Sequence, residues 1–244
     1  MNHKNVAIIA ARRAGKALLK LYDKKIFFER KGQLDLVTEA DKTAESIIIK
    51  EIKKHFPEHD IIGEESGKTK NGSEYLWTID PLDGTNNFLK KVPYWCTSIA
   101  LLKNNEPILG VIFDPFHNEL FVAKKGKGAT LNKKPIFVSQ TTQLSDAIVS
   151  YEQGHLMDQR SFFAVLPINK KIRALRIMGS TALNLANVAA GRFDAFISRN
   201  ITYWDLAAGI VIVKEANGKV ATIEGKSWSF SEKSIVASNG RLKL

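Results

Sequence analysis

The stretch from Trp77 to Phe88 constrains the fold more than any other part of the chain. It begins with apolar residues at alternate positions, a pattern that predicts a β-strand. It then reads Asp80-Pro-Leu-Asp83-Gly-Thr85, so carboxylates, a proline, a glycine and a hydroxyl end the strand abruptly. The proline removes an amide donor, and the glycine lets a ligand approach the main chain. Because strand ends often carry ligand sites and carboxylate oxygens suit Mg²⁺, the stretch predicts a magnesium site at a sheet edge.

The composition is that of an ordinary globular protein. The 244 residues are 44% hydrophobic and 25% charged, which allows a large core in one or two closely joined units. Cys96 is the one cysteine, so a disulfide framework is excluded and a cytoplasmic location is expected. The apolar run from Val6 to Ala11 is too short to span a membrane and meets Arg12-Arg13, so no membrane partner is predicted.

The net charge of +11 raises the question of an anionic partner such as nucleic acid. The lysines are spread over the chain in short pairs such as Lys24-Lys25 and Lys133-Lys134, without an arginine-rich tract. A nucleic-acid partner is therefore possible but weakly supported. The histidines do not show zinc-ligand spacing, since Pro57 separates His55 from His59.

Periodicity predicts the elements of the first half. The expected helices are Val6 to Tyr22 and Lys42 to His55, and the expected strands are Ile26–Arg30, Tyr94–Leu102, Pro107–Phe113 and Glu119–Ala123, the last three forming an antiparallel meander. Thr38 and Asp41 have the spacing of a capping box at the start of the second helix. Lys125 to Gly128 lacks the spacing of a phosphate loop and predicts a tight turn.

The second half alternates strands and helices. The expected strands are Asp146–Tyr151, Ile172–Ile177, Phe193–Ser198, Lys219–Ile223 and Ser234–Ser238; the expected helices are one within Gln153–Lys170, one from Ala182 to Ala190 ending at Gly191, and one from Leu206 to Glu215 with Asp205 as its N-cap. The chain is thus α/β (α+β). We expect a soft boundary that divides it into residues 1–145 and 146–244, within one compact catalytic unit.

Several acidic residues lie at predicted strand ends or helix starts: Asp41, Glu64-Glu65, Asp80, Asp83 and Asp205. Each has a purely structural alternative, because Asp41 and Asp205 can cap helices and the glutamate pair can decorate a loop. Together, Glu64, Asp80, Asp83 and Asp205 would hold about four like charges, which buried carboxylates cannot keep without cations. Two or more Mg²⁺ ions would resolve this repulsion, clamp a phosphate and activate a water. The backbone amides at the helix start after Gly84 would face the same phosphate.

At these residues the chain resembles the inositol monophosphatase family. The matching segments occur in the family's order: Asp35-Leu-Val-Thr-Glu-Ala-Asp41, Gly63-Glu-Glu-Ser66, Trp77 to Phe88, Gly110-Val-Ile-Phe-Asp-Pro115, Gly179-Ser-Thr-Ala182, Ala189-Ala-Gly-Arg-Phe-Asp194 and Tyr203-Trp-Asp-Leu-Ala-Ala-Gly209. The resemblance implies a layered αβαβα sandwich that hydrolyses phosphomonoesters with Mg²⁺. It also implies a homodimer, and inhibition by lithium is common in the family.

The resemblance also implies roles for individual residues. Glu64, Asp80 and the carbonyl of Leu82 would bind one Mg²⁺, Asp80, Asp83 and Asp205 a second, and a third ion would lie near Glu64. The catalytic residues would be Asp41, Glu64 and Thr85, with Thr85 and Asp41 orienting the attacking water. The expected substrate and phosphate contacts are Asp83, Gly84, Thr85, Gly179, Ser180, Thr181, Ser198 and Asp205.

One departure concerns the substrate. Members specific for inositol usually carry a glutamate at the position of Ser198, and Arg199 adds a cation beside it. Inositol monophosphate is the first expectation for the substrate, as a small phosphorylated polyol or sugar. The alternatives are fructose-1,6-bisphosphate, a 3′-phosphoadenosine nucleotide (against which Asn86-Asn87 argues mildly) and histidinol phosphate. A binding protein for RNA or the transcription machinery that keeps the phosphatase fold is the alternative from another class.

Overall fold

The structure is a computed structural model, and it describes residues 1–24, 28–30, 36–69, 71–152, 169–199, 201–229 and 231–243. The elements of the first half are α1 His3–Tyr22, β1 Phe28–Arg30, β2 Leu36–Thr38, α2 Glu39–His55, β3 Asp60–Gly63, β4 Gly67–Thr69, β5 Tyr75–Asp83, α3 Thr85–Leu89, β6 Cys96–Lys103, β7 Glu106–Asp114, β8 Glu119–Lys124, β9 Ala129–Leu131 and β10 Lys134–Pro135. Those of the second half are a 3₁₀ turn Leu144–Asp146, β11 Ile148–Glu152, β12 Ala174–Arg176, α4 Thr181–Ala189, β13 Ala195–Arg199, α5 Tyr203–Glu215, β14 Lys219–Ala221 and β15 Ser234–Ser238.

Two main sheets carry these elements. The larger has eight strands in the order β10-β9-β8-β7-β6-β5-β3-β4, and the smaller has five in the order β12-β11-β13-β15-β14. Strands β6, β7 and β8 form the predicted antiparallel meander, whereas β3 runs parallel to β5. In the smaller sheet β11 lies between β12 and β13 and is parallel to both. A two-stranded ribbon of β1 and β2 completes the described strands.

Helices cover both faces of the larger sheet. Helix α1 buries small and branched residues at helical spacing, including Val6, Ala10, Ala14 and Leu18, and with α2 it packs on one face. Helices α4 and α5 lie between the two sheets, in a core that includes Phe121 from the larger sheet and side chains of the smaller. The described layers are therefore helices, sheet, helices and sheet.

The mixed α+β fold with two sheets is confirmed. The helix predicted within Gln153–Lys170 falls mostly on residues 153–168, outside the described residues, and so does part of the strand predicted at Ile26–Arg30. Gly191 follows α4 with a φ of 70°, as expected of the residue after a helix C-cap. The division into residues 1–145 and 146–244 stays a prediction.

One helix start was predicted wrongly. Helix α5 begins at Tyr203, and its N-cap is Thr202, not Asp205. Asp205 instead occupies the third helical position, where its carboxylate accepts hydrogen bonds from the Thr202 amide and hydroxyl. The capping box predicted for Thr38 and Asp41 is confirmed at the start of α2.

Over the described ranges, none of the helices combines the length and the apolar character that crossing a bilayer requires.

Candidate active site

Strand β5 ends in an irregular pairing that sets the geometry of the site. Its register with β6 runs regularly to the pair Asp80 and Ser98, and then shifts before Asp83 pairs with Cys96. Pro81 lies in this irregular segment, has no amide to donate, and accepts a hydrogen bond at its carbonyl from the Thr97 hydroxyl at 3.0 Å. Residues three apart on a regular strand point to opposite faces, so this break allows both aspartates to serve one site.

Asp83 is held by the start of helix α4. Its carboxylate accepts hydrogen bonds from the Ser180 hydroxyl at 2.5 Å, the Ala182 amide at 2.6 Å and the Thr181 amide at 3.1 Å. Burial and then the charge of Asp205 raise the pKa of Asp83 to about 7, although these donors act in the opposite direction. The side chain is therefore fixed in place but tends to be protonated near neutral pH when no cation is bound.

Asp80 lies among the other predicted acids. It is 2% exposed, and its Oδ1 accepts a hydrogen bond from the Leu82 amide at 3.0 Å. Burial raises its pKa well above the usual value, and the charges of Glu64, Asp83, Asp205 and Asp41, in that order, raise it further. The fold has thus brought together five carboxylates that are scattered along the sequence.

Asp41 serves two neighbours at once. Its Oδ2 accepts the Thr38 amide at 2.8 Å and its own amide donates to the Thr38 hydroxyl oxygen at 3.4 Å, which together form the capping box. The Thr38 hydroxyl also lies 2.5 Å from Oδ2. Its Oδ1 lies 3.1 Å from the Thr85 hydroxyl, which also lies 3.0 Å from the Leu82 carbonyl. Burial raises the pKa of Asp41. Asp41 therefore does cap helix α2, as its structural alternative predicted, and its Oδ1 still faces Thr85.

Glu64 follows β3, and its amide donates to the Ile79 carbonyl on β5. The turn after it depends on Glu45, a buried residue of α2 whose carboxylate accepts the amides of Glu65 at 2.9 Å and Ser66 at 2.8 Å. Gly63 leaves room for Glu45, because a Cβ there would lie 2.4 Å from its Oε2. Glu45 is not among the residues predicted from the sequence, although it lies one helical turn after Asp41 on the same face of α2.

The segment before α4 lies close to the end of β5. Gly84 has a φ of 100°, and a Cβ on it would lie 3.2 Å from the Gly179 carbonyl oxygen. Asn87 donates from Nδ2 to the carbonyls of Met178 at 2.8 Å and Tyr94 at 2.7 Å. Gly84, Gly179, Ser180 and the amide of Thr181 therefore lie close to Asp83, and their contact with a substrate stays a prediction.

Ser198 lies in β13 rather than on an open surface. It is fully buried, and its hydroxyl donates to the Glu152 carbonyl at 2.5 Å on the neighbouring strand β11. Arg199 follows it and is half-buried. The prediction that Ser198 contacts the substrate stays a prediction.

The carboxylates suit a hard divalent cation. Within the described ranges, no three His, Cys, Asp or Glu side chains are already arranged as a cage for one ion. Neither Asp80 nor Asp83 has a cationic partner among the described residues, and burial and then the repulsion of neighbouring like charges raise the pKa of both. Because bound Mg²⁺ would neutralise this repulsion through oxygen ligands, the donor set fits the ion.

A sequence model of the inositol monophosphatase family matches residues 2–244. The chain belongs to the inositol monophosphatase family. Curated family relatives include inositol monophosphatase 3 of Solanum lycopersicum, 41% identical over 98% of this chain and 92% of the relative. Nus factor SuhB of Xylella fastidiosa is 40% identical over 91% of this chain and 82% of the relative. Fructose-1,6-bisphosphatase/inositol-1-monophosphatase of Thermotoga maritima is 39% identical over 98% of this chain and 92% of the relative.

Solved structures of the family have the same fold. The extragenic suppressor protein suhB of Bartonella henselae superposes with a TM-score of 0.94, at 37% identity, over 97% of this chain and 93% of that one. An IMPase/NADP phosphatase complexed with Mg²⁺ and phosphate superposes with a TM-score of 0.82, at 27% identity, over 94% of this chain and 87% of that one. The chain is therefore an inositol monophosphatase-like phosphatase, a phosphoric monoester hydrolase.

Proposed function

We propose that this protein is a Mg²⁺-dependent phosphomonoesterase that hydrolyses a small phosphorylated polyol or sugar, with inositol monophosphate as the first candidate. The observation that carries the proposal is the position of the buried Asp80 and Asp83 at the end of β5, where burial and then the charges of neighbouring acids raise the pKa of both carboxyls. Buried carboxylates such as Asp80 and Asp83 are costly when they lie together unless a cation neutralises them. A family structure described as complexed with Mg²⁺ and phosphate supports the same reading.

Glu64, Asp80, Asp83, Asp205 and the carbonyl of Leu82 would hold two to three ions. When bound, Mg²⁺ would bind the phosphate oxygens and lower the pKa of a water for in-line attack. The chain's own part is to fix these oxygens: Asp83 through the start of α4, and Asp205 through the capping box with Thr202.

Thr85 and Asp41 would orient the attacking water and receive its proton. The Thr85 hydroxyl donates to Asp41 Oδ1, so its own oxygen can accept a hydrogen bond from a water. Burial raises the pKa of Asp41, which makes this carboxylate a better proton acceptor than an exposed one. The amides of Gly84 and Thr85 would hold the phosphate, and the glycine's φ of 100° gives the sharp turn this requires.

The substrate is best identified by comparing the hydrolysis of several phosphate esters. The relatives' names include inositol monophosphatase and a combined fructose-1,6-bisphosphatase/inositol-1-monophosphatase, and Arg199 would favour a second phosphate. The experiment ranks kcat/KM for inositol 1-phosphate, fructose 1,6-bisphosphate, a 3′-phosphoadenosine nucleotide and histidinol phosphate, with and without Mg²⁺. We expect phosphate release to require Mg²⁺ and inositol 1-phosphate to rank first. Equal release in excess chelator would contradict the proposed chemistry.

A second candidate function is binding to RNA or to the transcription machinery. Two observations favour it: the net charge of +11 and a relative named Nus factor SuhB. Such binding should show a steep dependence on salt, because lysines displace counterions from phosphates. Tight binding of structured RNA at physiological salt would support this function. Binding that is seen only at low salt, and is lost before the salt concentration reaches the physiological value, would contradict it. A homodimer, lithium inhibition and a cytoplasmic location stay predictions.

A further inference from the structure

The carboxylate of Glu152 lies at the end of β11, directly beside the segment that precedes helix α4. Its Oε1 accepts hydrogen bonds from the Gly179 amide at 2.5 Å, the Met178 amide at 3.0 Å and the Asn184 side chain at 3.0 Å. Two consecutive backbone amides therefore converge on one oxygen, and Gly179 adopts a φ of 78°. Successive amides in such a turn form a concave anion site, and here the chain fills it with its own carboxylate.

The same segment continues into the groups that hold Asp83. Ser180 follows Gly179 directly, and its hydroxyl and the amide of Ala182 donate to the Asp83 carboxylate at 2.5 and 2.6 Å. The position of these donors depends on where the chain enters α4. Glu152 fixes the residues just before the helix, because it accepts the amides of Met178 and Gly179. It also accepts a hydrogen bond from the Asn184 side chain in the first turn of α4.

Asn87 holds the segment from the opposite side. Its Nδ2 donates to the Met178 carbonyl at 2.8 Å, whereas Glu152 accepts the Met178 amide. A Cβ at Gly179 would lie 3.0 Å from the same Nδ2, so a side chain there would have to displace Asn87 and would also be strained by the positive φ. The segment is thus fixed between a side chain that follows the Asp-Gly-Thr motif and a side chain from the smaller sheet.

We propose that Glu152 is a positioning residue for the metal site: it fixes residues 178–180, which in turn orient Asp83 for Mg²⁺. This inference rests on the proposed function, because it takes Asp83 as a metal ligand. Glu152 itself would contact neither the ion nor the reacting phosphate. Removing residues that orient a metal ligand typically weakens metal affinity by about 10- to 100-fold.

The test compares Glu152→Ala with a matched carboxylate far from the site. Glu215, at the end of α5, accepts the amides of Gly126, Lys127 and Gly128 at 2.8, 3.0 and 2.7 Å, so it also holds a turn through backbone amides. The readouts are the melting temperature, the Mn²⁺ dissociation constant from electron paramagnetic resonance without substrate, and kcat and KM separately. Glu152→Ala should raise the Mn²⁺ dissociation constant about tenfold and lower kcat. Glu215→Ala should lower the melting temperature and leave the Mn²⁺ dissociation constant unchanged.

Glu152→Gln keeps an acceptor oxygen and should bind Mn²⁺ with an affinity between those of the wild type and Glu152→Ala. If Glu152→Ala does not fold, Glu152→Gln carries the comparison. Mn²⁺ affinity equal to that of the wild type, in whichever variant folds, would overturn the inference, as would an equal loss in Glu215→Ala. The proposed function fails on a different result, namely wild-type protein that binds Mn²⁺ but releases no phosphate.

Discussion

The two sides of the site differ in how their polar groups are used. On the side of β5 and α2, Asp41 and Asp83 each accept several hydrogen bonds, and their charges add to the effect of burial in raising the pKa of Asp80. On the side of β13, Ser198 is fully buried and donates to a strand carbonyl. The first side holds the groups to which the proposed function assigns the cation and the reacting phosphate. The second side is part of a regular β-sheet, and Arg199 contributes a positive charge there.

The starts of helices α2 and α5 hold an aspartate in the same way but place it in different surroundings. Asp41 on α2 and Asp205 on α5 both occupy the third helical position, and in both a threonine hydroxyl donates to Oδ2. The same local device therefore places an acid from each half of the chain at the site. The surroundings of the two aspartates differ. Asp41 also accepts a hydrogen bond from the Thr85 hydroxyl, whereas the charge of Asp205 adds to the effect of burial in raising the pKa of Asp83. An aspartate that caps a helix can therefore also face the neighbouring groups of the site.

The largest effect should come from Asp83→Asn. Asparagine keeps the size of the side chain but removes the charge that would bind the cation, so we expect kcat/KM to fall by about 1000-fold. The measurement is Mg²⁺-dependent phosphate release. Asp194→Asn is the control, because Asp194 is also a buried aspartate that accepts a backbone amide, that of Ile148, but lies outside the site. An active Asp83→Asn protein would contradict the metal-ligand assignment.

A smaller effect should follow from Thr85→Val. Valine has nearly the same shape but cannot donate to Asp41 Oδ1 or orient a water, and such groups contribute about 100-fold or more to kcat. Thr85→Ser keeps the hydroxyl and should retain most of the activity. Loss of the same size in both variants would point to packing rather than to the hydroxyl, and full activity in Thr85→Val would remove Thr85 from the mechanism.

Part of this arrangement could be predicted from the sequence. The Trp77 to Phe88 stretch predicted a strand that ends in carboxylates, and the spacing of Thr38 and Asp41 predicted the capping box. Strong periodicity also placed the meander and both long helices within a few residues, because their apolar faces are buried against one sheet.

The remaining features depend on contacts between distant segments. Glu152 ends a strand without any local motif, and its role arises because residues 178–179 come to lie beside it. In the sequence, Glu45 is one of several acids on an amphipathic helix. Its role depends on the turn after Glu64, whose amides reach its carboxylate only in the folded chain. The prediction of Asp205 as an N-cap is wrong because Thr202, three residues earlier, occupies that position and pairs with Asp205 in a capping box.

The acids on the β5 side should also make metal binding depend on pH. The pKa of Asp83 is raised to about 7 in the metal-free protein, so at lower pH the ion must displace a proton to bind. The apparent Mg²⁺ affinity should therefore fall by up to about tenfold per pH unit as the pH drops below 7. Calorimetric titration between pH 6 and 8 would measure this. An affinity independent of pH would mean that Asp83 does not bind the ion.

The same shift has the opposite consequence for the metal-free protein. A carboxyl whose pKa is higher in the folded state than in the unfolded chain stabilises the fold when it is protonated. For Asp83 this contribution is present below about pH 4 and is lost as the pH rises to about 7. The free energy of unfolding in chelator should therefore fall over this range, and Mg²⁺ should restore it at neutral pH.

The smallest effect should come from Ser198→Ala, on the other side of the site. The variant removes one buried hydrogen bond to the Glu152 carbonyl, which should lower the free energy of unfolding by about 1 kcal/mol. Because the hydroxyl is already used inside the sheet, KM for the substrate should stay within about threefold of the wild type, less than one lost substrate hydrogen bond would cause. A much larger rise in KM would show that Ser198 leaves Glu152 to bind the substrate. The difference between the two sides of the site would then belong to the ligand-free protein alone.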